Sequence, residues 1–159
     1  LYTSDSYFEE ALSYCQIAVR LSSKTAENHV NLGLTHQMKK NQVQAERILS
    51  NAARQFPKSA FAQESAGKVL ELKENFEMAT KYYRKCAKLD KKRVECWKGY
   101  GRSAFQTGKY KDSLTAYKKV CEMDRTILTE FKKQAALLRI HGKSGWHEKF
   151  TQGITNCYY

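Results

Sequence analysis

Small residues recur along this chain at intervals of 34 positions, and this period limits the fold more than any other feature. Sliding the 159-residue sequence by 34 aligns Gly33, Gly67 and Gly101, and Ala135 follows one step further. Self-similarity at a period of roughly 20–50 residues is typical of arrays in which each unit packs mainly on its neighbours. The chain is therefore predicted to be a repeat stack.

Each unit is predicted to contain two amphipathic helices. In residues 94–123 the apolar positions recur three or four residues apart, as one face of a helix requires. Gly108 interrupts this pattern and suits the left-handed residue that ends a helix. Residues that recur every 34 positions form a column of the repeat alignment, and two further columns are present. One contains Ala11, Ala45, Ala79 and Ser113. The other contains Cys15, Leu49, Tyr83 and Tyr117.

Residues 94–127 resemble a tetratricopeptide repeat (TPR), a family whose pattern runs Trp, Leu-Gly, Tyr, Ala, Phe and Pro over 34 residues. Trp97, Gly101 and Tyr110 occupy three of those positions. Residues 60–93 and 26–59 carry the same pattern with mild departures at the Trp and Pro positions. The resemblance implies an all-α fold, a right-handed α-solenoid of antiparallel helix pairs known as a TPR superhelix.

The two ends depart from the repeat. We interpret residues 1–159 as one TPR array with full repeats at 26–59, 60–93 and 94–127. Residues 5–22 match the second helix of a partial repeat, and residues 128–159 match a divergent or capping repeat. Terminal repeats that cap a stack are atypical. We favour the alternative that both ends are internal to a longer array, and self-association through exposed repeat ends is a further hypothesis.

The resemblance also implies where a partner would bind, because the first helix of each TPR unit lines the concave face. We expect a protein-interaction scaffold, the TPR region of a larger multiprotein-complex subunit, that holds an acidic and apolar partner segment in a basic groove. The other interpretation is that these cations are ordinary solvated residues of a helix surface. The predicted groove residues are Asn31, Leu34, Phe61, Lys68, Lys98, Arg102, Phe105, Lys132, Lys133 and Arg139.

Positive charge is concentrated in the C-terminal two thirds of the chain. The net charge is +12; residues 1–59 hold 7 basic and 5 acidic residues, and residues 60–159 hold 21 and 11. An alternative function is therefore association with RNA in an RNA-processing complex through a basic convex surface, although a solvated face explains the same pattern. The tract that motivates it contains Lys81, Arg84, Lys85, Lys88, Lys91, Lys92 and Arg93.

No arrangement of residues in the sequence points to catalysis, a metal or a cofactor. The five cysteines show no CxxC spacing, so we expect free thiols in an intracellular protein, cytoplasmic or nuclear. His36 falls on an interior phase of its helix and is interpreted as a core histidine, because no Asp or Cys has metal-ligand spacing nearby. Phosphate-binding glycine loops and nucleophile elbows are absent. We expect neither enzyme activity nor insertion into a membrane.

Overall fold

The computed structural model describes residues 4–158, and these residues form a solenoid of α-helices without a strand. The predicted all-α architecture is confirmed. No helix in this part of the chain has the length and apolar character that crossing a membrane requires. The elements are α1 (Ser4–Leu21), α2 (Ala26–Met38), α3 (Gln42–Gln55), α4 (Ala60–Leu72), α5 (Phe76–Leu89), α6 (Val94–Gln106), α7 (Tyr110–Cys121), a 3-10 helix (Arg125–Ile127), α8 (Leu128–Ile140) and α9 (Ser144–Tyr158).

The turns between paired helices repeat with the same period as the sequence. Lys40, Glu74, Gly108 and Gly142 lie one repeat apart, and all four adopt a left-handed backbone with φ between 57° and 72°. This conformation ends the first helix of each pair and reverses the chain. Glycine enters it at least cost, so Lys40 and Glu74 are held there by the packed helices on either side.

Close approach between the two helices of a pair depends on the glycine column. A methyl group built on Gly33 would lie 2.6 Å from Leu49, and one on Gly67 would lie 2.9 Å from Tyr83. Gly101 faces Tyr117 in the same way, at 3.3 Å. The column of small residues therefore packs against the column of large ones, as expected for neighbouring units that share one geometry.

Gly99 makes the tightest contact in the stack although it lies outside the repeated glycine column. A methyl group on Gly99 would lie 2.3 Å from the ring of Tyr83, which is fully buried. Tyr83 belongs to α5 and Gly99 to the following helix, so this contact joins two repeats. The ring therefore fills the space left by Gly67 in its own unit and by Gly99 in the next.

The C-terminal units share an aromatic core. Tyr117 stacks on Phe131 with ring centroids 5.2 Å apart, and Phe150 packs edge-on against Phe131 at 5.4 Å. All three side chains are fully buried. Edge-to-face and offset pairs of this kind stabilise a core beyond the area they bury. The divergent last helix α9 is thus integrated into the stack through Phe150.

The structure contradicts the expectation of free thiols for four of the five cysteines. Cys86 and Cys96 are joined as a disulfide with Cα atoms 5.7 Å apart, and Cys121 and Cys157 as a second with Cα atoms 5.8 Å apart. Both separations lie in the ordinary disulfide range. The first bridge ties α5 to α6 and the second ties α7 to α9. Only Cys15 is a free thiol among the described residues.

Candidate functional site

A depression of about 540 Å³ lies between the first helices of two successive repeats, α6 and α8, and the loop before α8. We call it the groove pocket. Three of the predicted groove residues, Lys98, Arg102 and Lys133, line it together. The remaining lining residues are Glu95, Thr126, Ile127, Thr129 and Glu130. Positive and negative side chains therefore share this pocket, and its walls are more mixed in charge than the sequence indicated.

Arg102 is held between two carboxylates at the floor of the groove. Its Nε donates to Glu71 at 2.7 Å and its Nη2 to the other oxygen of the same carboxylate at 3.2 Å. Nη1 lies 4.0 Å from Glu130. Burial alone would lower the pKa of Arg102, but the hydrogen bonds and charge of Glu71, with the charge of Glu130, raise it. The guanidinium is therefore a fixed cation.

Two tyrosines of the large-residue column orient these carboxylates. The hydroxyl of Tyr83 donates to Glu71 at 2.7 Å, and that of Tyr117 donates to Glu130 at 2.7 Å. Burial raises the pKa of both phenols, and the neighbouring carboxylates raise it further. Both hydroxyls therefore remain donors at neutral pH. The groove floor is a network in which Arg102 occupies the centre.

Lys98 is paired in a similar way. Its Nζ donates to Asp124 at 2.8 Å and lies 3.7 Å from Glu95. The hydrogen bond from Lys98, together with those from Thr126, lowers the pKa of Asp124 to about 2. The same bond raises the pKa of Lys98 against the opposing effect of burial. An ammonium has three donors, so Lys98 keeps a donor for a further acceptor.

Lys133 differs from these two cations because it is exposed and has no ion pair within residues 4–158. It is therefore the cation of the groove pocket whose charge is least compensated. Arg139, on the same helix, is also exposed, and its backbone carbonyl accepts from Gly142 at the helix end. Its side chain is not among the residues that line the pocket.

The middle of the groove carries a second ion cluster. Glu64 is almost fully buried and contacts both Lys68 and Arg93. Burial works to raise the pKa of Glu64, but the contacts with these two cations lower it overall. The Arg93 guanidinium also lies 5.8 Å from the ring centroid of Phe61. The charge of Lys68 is thus compensated by Glu64, and Phe61 lies at the edge of this cluster through its contact with Arg93.

The other predicted groove residues lie in different surroundings. Phe105 packs against Tyr110 and Phe150, so its ring belongs to the C-terminal core. The ammonium of Lys132 lies 5.3 Å from the ring centroid of Tyr158 on α9. At the N-terminal end, Leu34 is half-buried against the core and Asn31 is exposed. The structure does not bring these residues into the groove pocket.

The acidic side chains of the groove floor were missed by the sequence analysis. Glu71 and Glu130 do not share a repeat position, so the 34-residue period contains no signal for them. Asp124 could have been found, because Asp90 occupies the same position one repeat earlier. The side chains of both aspartates accept from backbone N–H groups two residues on. Only Asp124 also accepts from a groove lysine.

The convex basic tract is less compensated than the groove. Lys85 and Lys88 on α5 and Lys91 and Lys92 in the following loop are exposed, and none forms an ion pair with the residues that the structure describes. Tyr82, from the same helix, is partly buried against the core. The tract therefore offers positive charge on a solvent-facing surface, with little aromatic surface for stacking.

One group of side chains has the composition of a metal site. Ligand atoms of Glu64, Cys86 and Cys96 lie within 4.8 Å of one another, and all three residues are buried. The two sulfurs are joined to each other, however, and Glu64 is engaged by Lys68 and Arg93. A metal ligand needs a free thiolate or carboxylate. The residues of this cluster satisfy one another instead.

Comparison with known sequences and families gives one match. A family model described as anaphase-promoting complex, cyclosome, subunit 3 matches residues 34–120. These residues extend from α2 to α7 and include Glu95, Lys98 and Arg102 of the groove pocket. A comparison with curated protein sequences finds no significant match.

Solved structures of tetratricopeptide-repeat proteins share the fold. MamA matches with a TM-score of 0.75 at 13% identity, over 99% of this chain and 96% of its own. YrrB, described as a TPR protein with an unusual peptide-binding site, matches with a TM-score of 0.76 at 18% identity, over 97% and 79%. PilF of Pseudomonas aeruginosa matches at 0.67 and 16%, over 96% and 75%. At these identities the likeness establishes the TPR fold alone.

Proposed function

Because the chain belongs to the family of anaphase-promoting complex, cyclosome, subunit 3, we propose that it is a non-catalytic scaffold that binds a segment of a partner protein within a multiprotein complex. The family description names a subunit of such a complex. The similar TPR protein YrrB is described as having a peptide-binding site. A repeat stack with an open inner surface suits this role because its concave face is extended and continuous.

The groove pocket carries the proposal. It is open, and it places Lys98, Arg102 and Lys133 around one space of about 540 Å³. Arg102 and Lys98 are fixed by Glu71 and Asp124, so they need little further ordering when a ligand arrives. Groups that are already ordered lose less conformational entropy on binding.

A partner carboxylate beside Lys133 is the best match to this pocket. Lys133 forms no ion pair with a described residue, and the remaining donor of Lys98 would face the same space. The apolar wall is supplied by Ile127, which favours an apolar side chain next to the acidic one. The proposed partner segment is therefore acidic with apolar anchors, and its acidic groups are few because Glu95 and Glu130 would repel a polyanion.

Reversing the charge of Lys133 should weaken binding of such a segment about tenfold, the change typical of losing one ionic contact at an interface. We would measure fluorescence anisotropy with a labelled peptide that carries two glutamates among leucine and serine residues. The affinity of the unaltered protein should fall as salt is raised. Lys133→Glu is preferred over changes at Lys98 or Arg102, because removing either of those cations would break an existing ion pair with Asp124 or Glu71.

Lys85→Glu is the matched control, since it makes the same charge change at an exposed lysine on the convex face. It should leave peptide affinity within about twofold of the unaltered protein, because opposite faces of the stack are separated by more than a Debye length of roughly 8–10 Å. Equal losses in Lys133→Glu and Lys85→Glu would mean that only net charge matters. That outcome would show that the groove pocket is not the binding site of the peptide.

The convex basic tract supports a second candidate function, association with RNA. Its lysines are exposed and without ion pairs, which is the condition for releasing counterions from a phosphate backbone. The double variant Lys85→Glu and Lys88→Glu should weaken binding of a single-stranded RNA. It should also reduce the slope of log affinity against log salt by about 1.4, or roughly 0.7 for each lost contact.

Filter binding of a labelled oligouridylate over a range of salt concentrations measures both quantities. Lys133→Glu serves here as the control and should retain RNA affinity. The two candidate functions thus predict opposite responses to charge reversal at Lys133 and to charge reversal in the convex tract. An unaltered protein that does not retain RNA at roughly physiological salt would exclude the second candidate and leave the first untouched.

A further inference from the structure

The two disulfides lie in contrasting environments. Cys86 and Cys96 are fully buried, and the Glu64 carboxylate lies within 4.8 Å of their sulfurs. Cys121 and Cys157 are 8% and 9% exposed. A thiolate must reach a disulfide sulfur along an open path in order to attack it. Access therefore disfavours attack at the first bridge and permits it at the second.

A cavity of about 420 Å³ opens over the bridge between Cys121 and Cys157. Lys118 on α7 and Arg125 in the 3-10 helix line it, and neither forms an ion pair with another described residue. Glu122 is the only carboxylate of the lining, and it is paired with Lys119. The cavity is therefore positively charged. Its volume falls in the range of small-molecule sites, roughly 300–1,000 Å³.

We infer that this cavity is a docking site for an anionic peptide thiol, which exchanges with the Cys121–Cys157 disulfide. Lys118 and Arg125 would attract the carboxylates of the thiol, and Asn156 offers a polar contact at the same rim. Glutathione has this chemistry, with two carboxylates, one ammonium group and one thiol. The surface involved is separate from the groove pocket and from the convex tract.

The exchange proceeds in two steps. The thiolate of the peptide attacks one bridge sulfur, the S–S bond breaks, and the other cysteine leaves as a thiolate. A second peptide thiolate then attacks the mixed disulfide at the peptide sulfur and displaces the first cysteine. The protein disulfide gains two electrons and two protons, and two peptide thiols become one peptide disulfide. Nearby cations stabilise each departing thiolate.

Opening the bridge changes how α9 is attached. The two cysteines are 36 positions apart, and the disulfide joins α9 directly to α7. After reduction α9 is held by non-covalent contacts alone: Phe150 and Ile154 pack against the C-terminal core, His147 Nδ1 lies 2.8 Å from the carbonyl oxygen of Ala135, and Lys132 contacts Tyr158. The reduced peptide thiol therefore lowers the stability of the helix pair α8 and α9 by opening the bridge, and the oxidised form restores it. This helix pair carries Lys133 on α8.

The test follows both bridges in one sample. Protein equilibrated with oxidised glutathione is transferred to reduced glutathione, free thiols are alkylated at intervals, and each cysteine is quantified by peptide mass spectrometry. The Cys121–Cys157 bridge should open at least about tenfold faster than Cys86–Cys96. Equal rates, or earlier opening of Cys86–Cys96, would overturn the inference. So would recovery of Cys121 and Cys157 as free thiols after the oxidising step.

A second measurement isolates the role of charge. The rate constant with glutathione is divided by the rate constant with cysteamine, a cationic thiol. The variant Lys118→Gln with Arg125→Gln should lower this ratio about tenfold, the lower end of electrostatic effects on association rates. The control Lys85→Gln with Lys88→Gln removes the same charge from α5 and should leave the ratio unchanged. A ratio that is the same in all three proteins would refute docking in this cavity.

Discussion

Replacing Tyr83 with alanine should lower the free energy of unfolding by about 3–5 kcal/mol, the range for removing a large buried aromatic side chain. The ring is fully buried and lies against both Gly67 and Gly99, so the two neighbouring repeats would lose one shared core residue. The substitution also leaves the Glu71 carboxylate without its hydroxyl donor. Urea denaturation followed by circular dichroism at 222 nm would measure the loss.

Two further variants separate the contribution of the buried ring from that of the hydroxyl group and from the effect of removing any tyrosine. Tyr83→Phe keeps the ring and removes only the hydroxyl, so we expect about 0.5–1.5 kcal/mol. Tyr14→Ala removes a tyrosine that is 64% exposed on α1, and it should change stability by less than about 0.5 kcal/mol. A loss below about 1 kcal/mol for Tyr83→Ala would show that this ring does not couple the two units.

Phe150→Ala should also cost about 3–5 kcal/mol, because Phe150 is fully buried among Phe105, Tyr117 and Phe131. The loss is expected to be local. In a repeat array each unit is stabilised by its neighbours, so the terminal pair can unfold before the rest. Hydrogen exchange should therefore accelerate first in α8 and α9, while α4 and α5 keep their protection.

Ile140→Ala provides the comparison on the same helix pair. Ile140 is 72% exposed at the end of α8, so its truncation should alter neither stability nor exchange appreciably. The experiments on Phe150 are performed with the Cys121–Cys157 bridge both intact and reduced. Uniform acceleration of exchange over all helices would contradict a local role for the aromatic core.

The groove that was predicted to be basic contains both positive and negative side chains. Lys98 and Arg102 are positive residues, but Asp124, Glu71 and Glu130 neutralise much of their field. A ligand therefore meets an ordered pattern of both signs, and specificity depends on matching that pattern. Lys133 and the five exposed lysines of the convex tract carry positive charge that no described ion pair compensates.

The helical-repeat architecture could be predicted from the amino-acid sequence alone. The 34-residue period predicted repeats that begin at residues 26, 60 and 94, and α2, α4 and α6 begin at those positions. It also predicted that Gly33, Gly67 and Gly101 share one environment, and each faces the large residue 16 positions later. Periodicity succeeds here because an amphipathic helix displays its burial pattern in local spacing, and each unit packs on neighbours of the same design.

The chemistry of the surfaces, in contrast, depends on side-chain contacts between helices that the sequence does not reveal. Glu71 and Arg102 are 31 residues apart and Cys121 and Cys157 are 36 apart, and neither separation equals the repeat. The ring of the predicted groove residue Phe105 is partly buried against the C-terminal core, on Tyr110 of α7 and Phe150 of α9. Ion pairs, disulfides and pockets depend on distances between side chains of different helices. The repeat determines where each helix lies. It does not determine which non-repeated side chains of neighbouring helices come into contact.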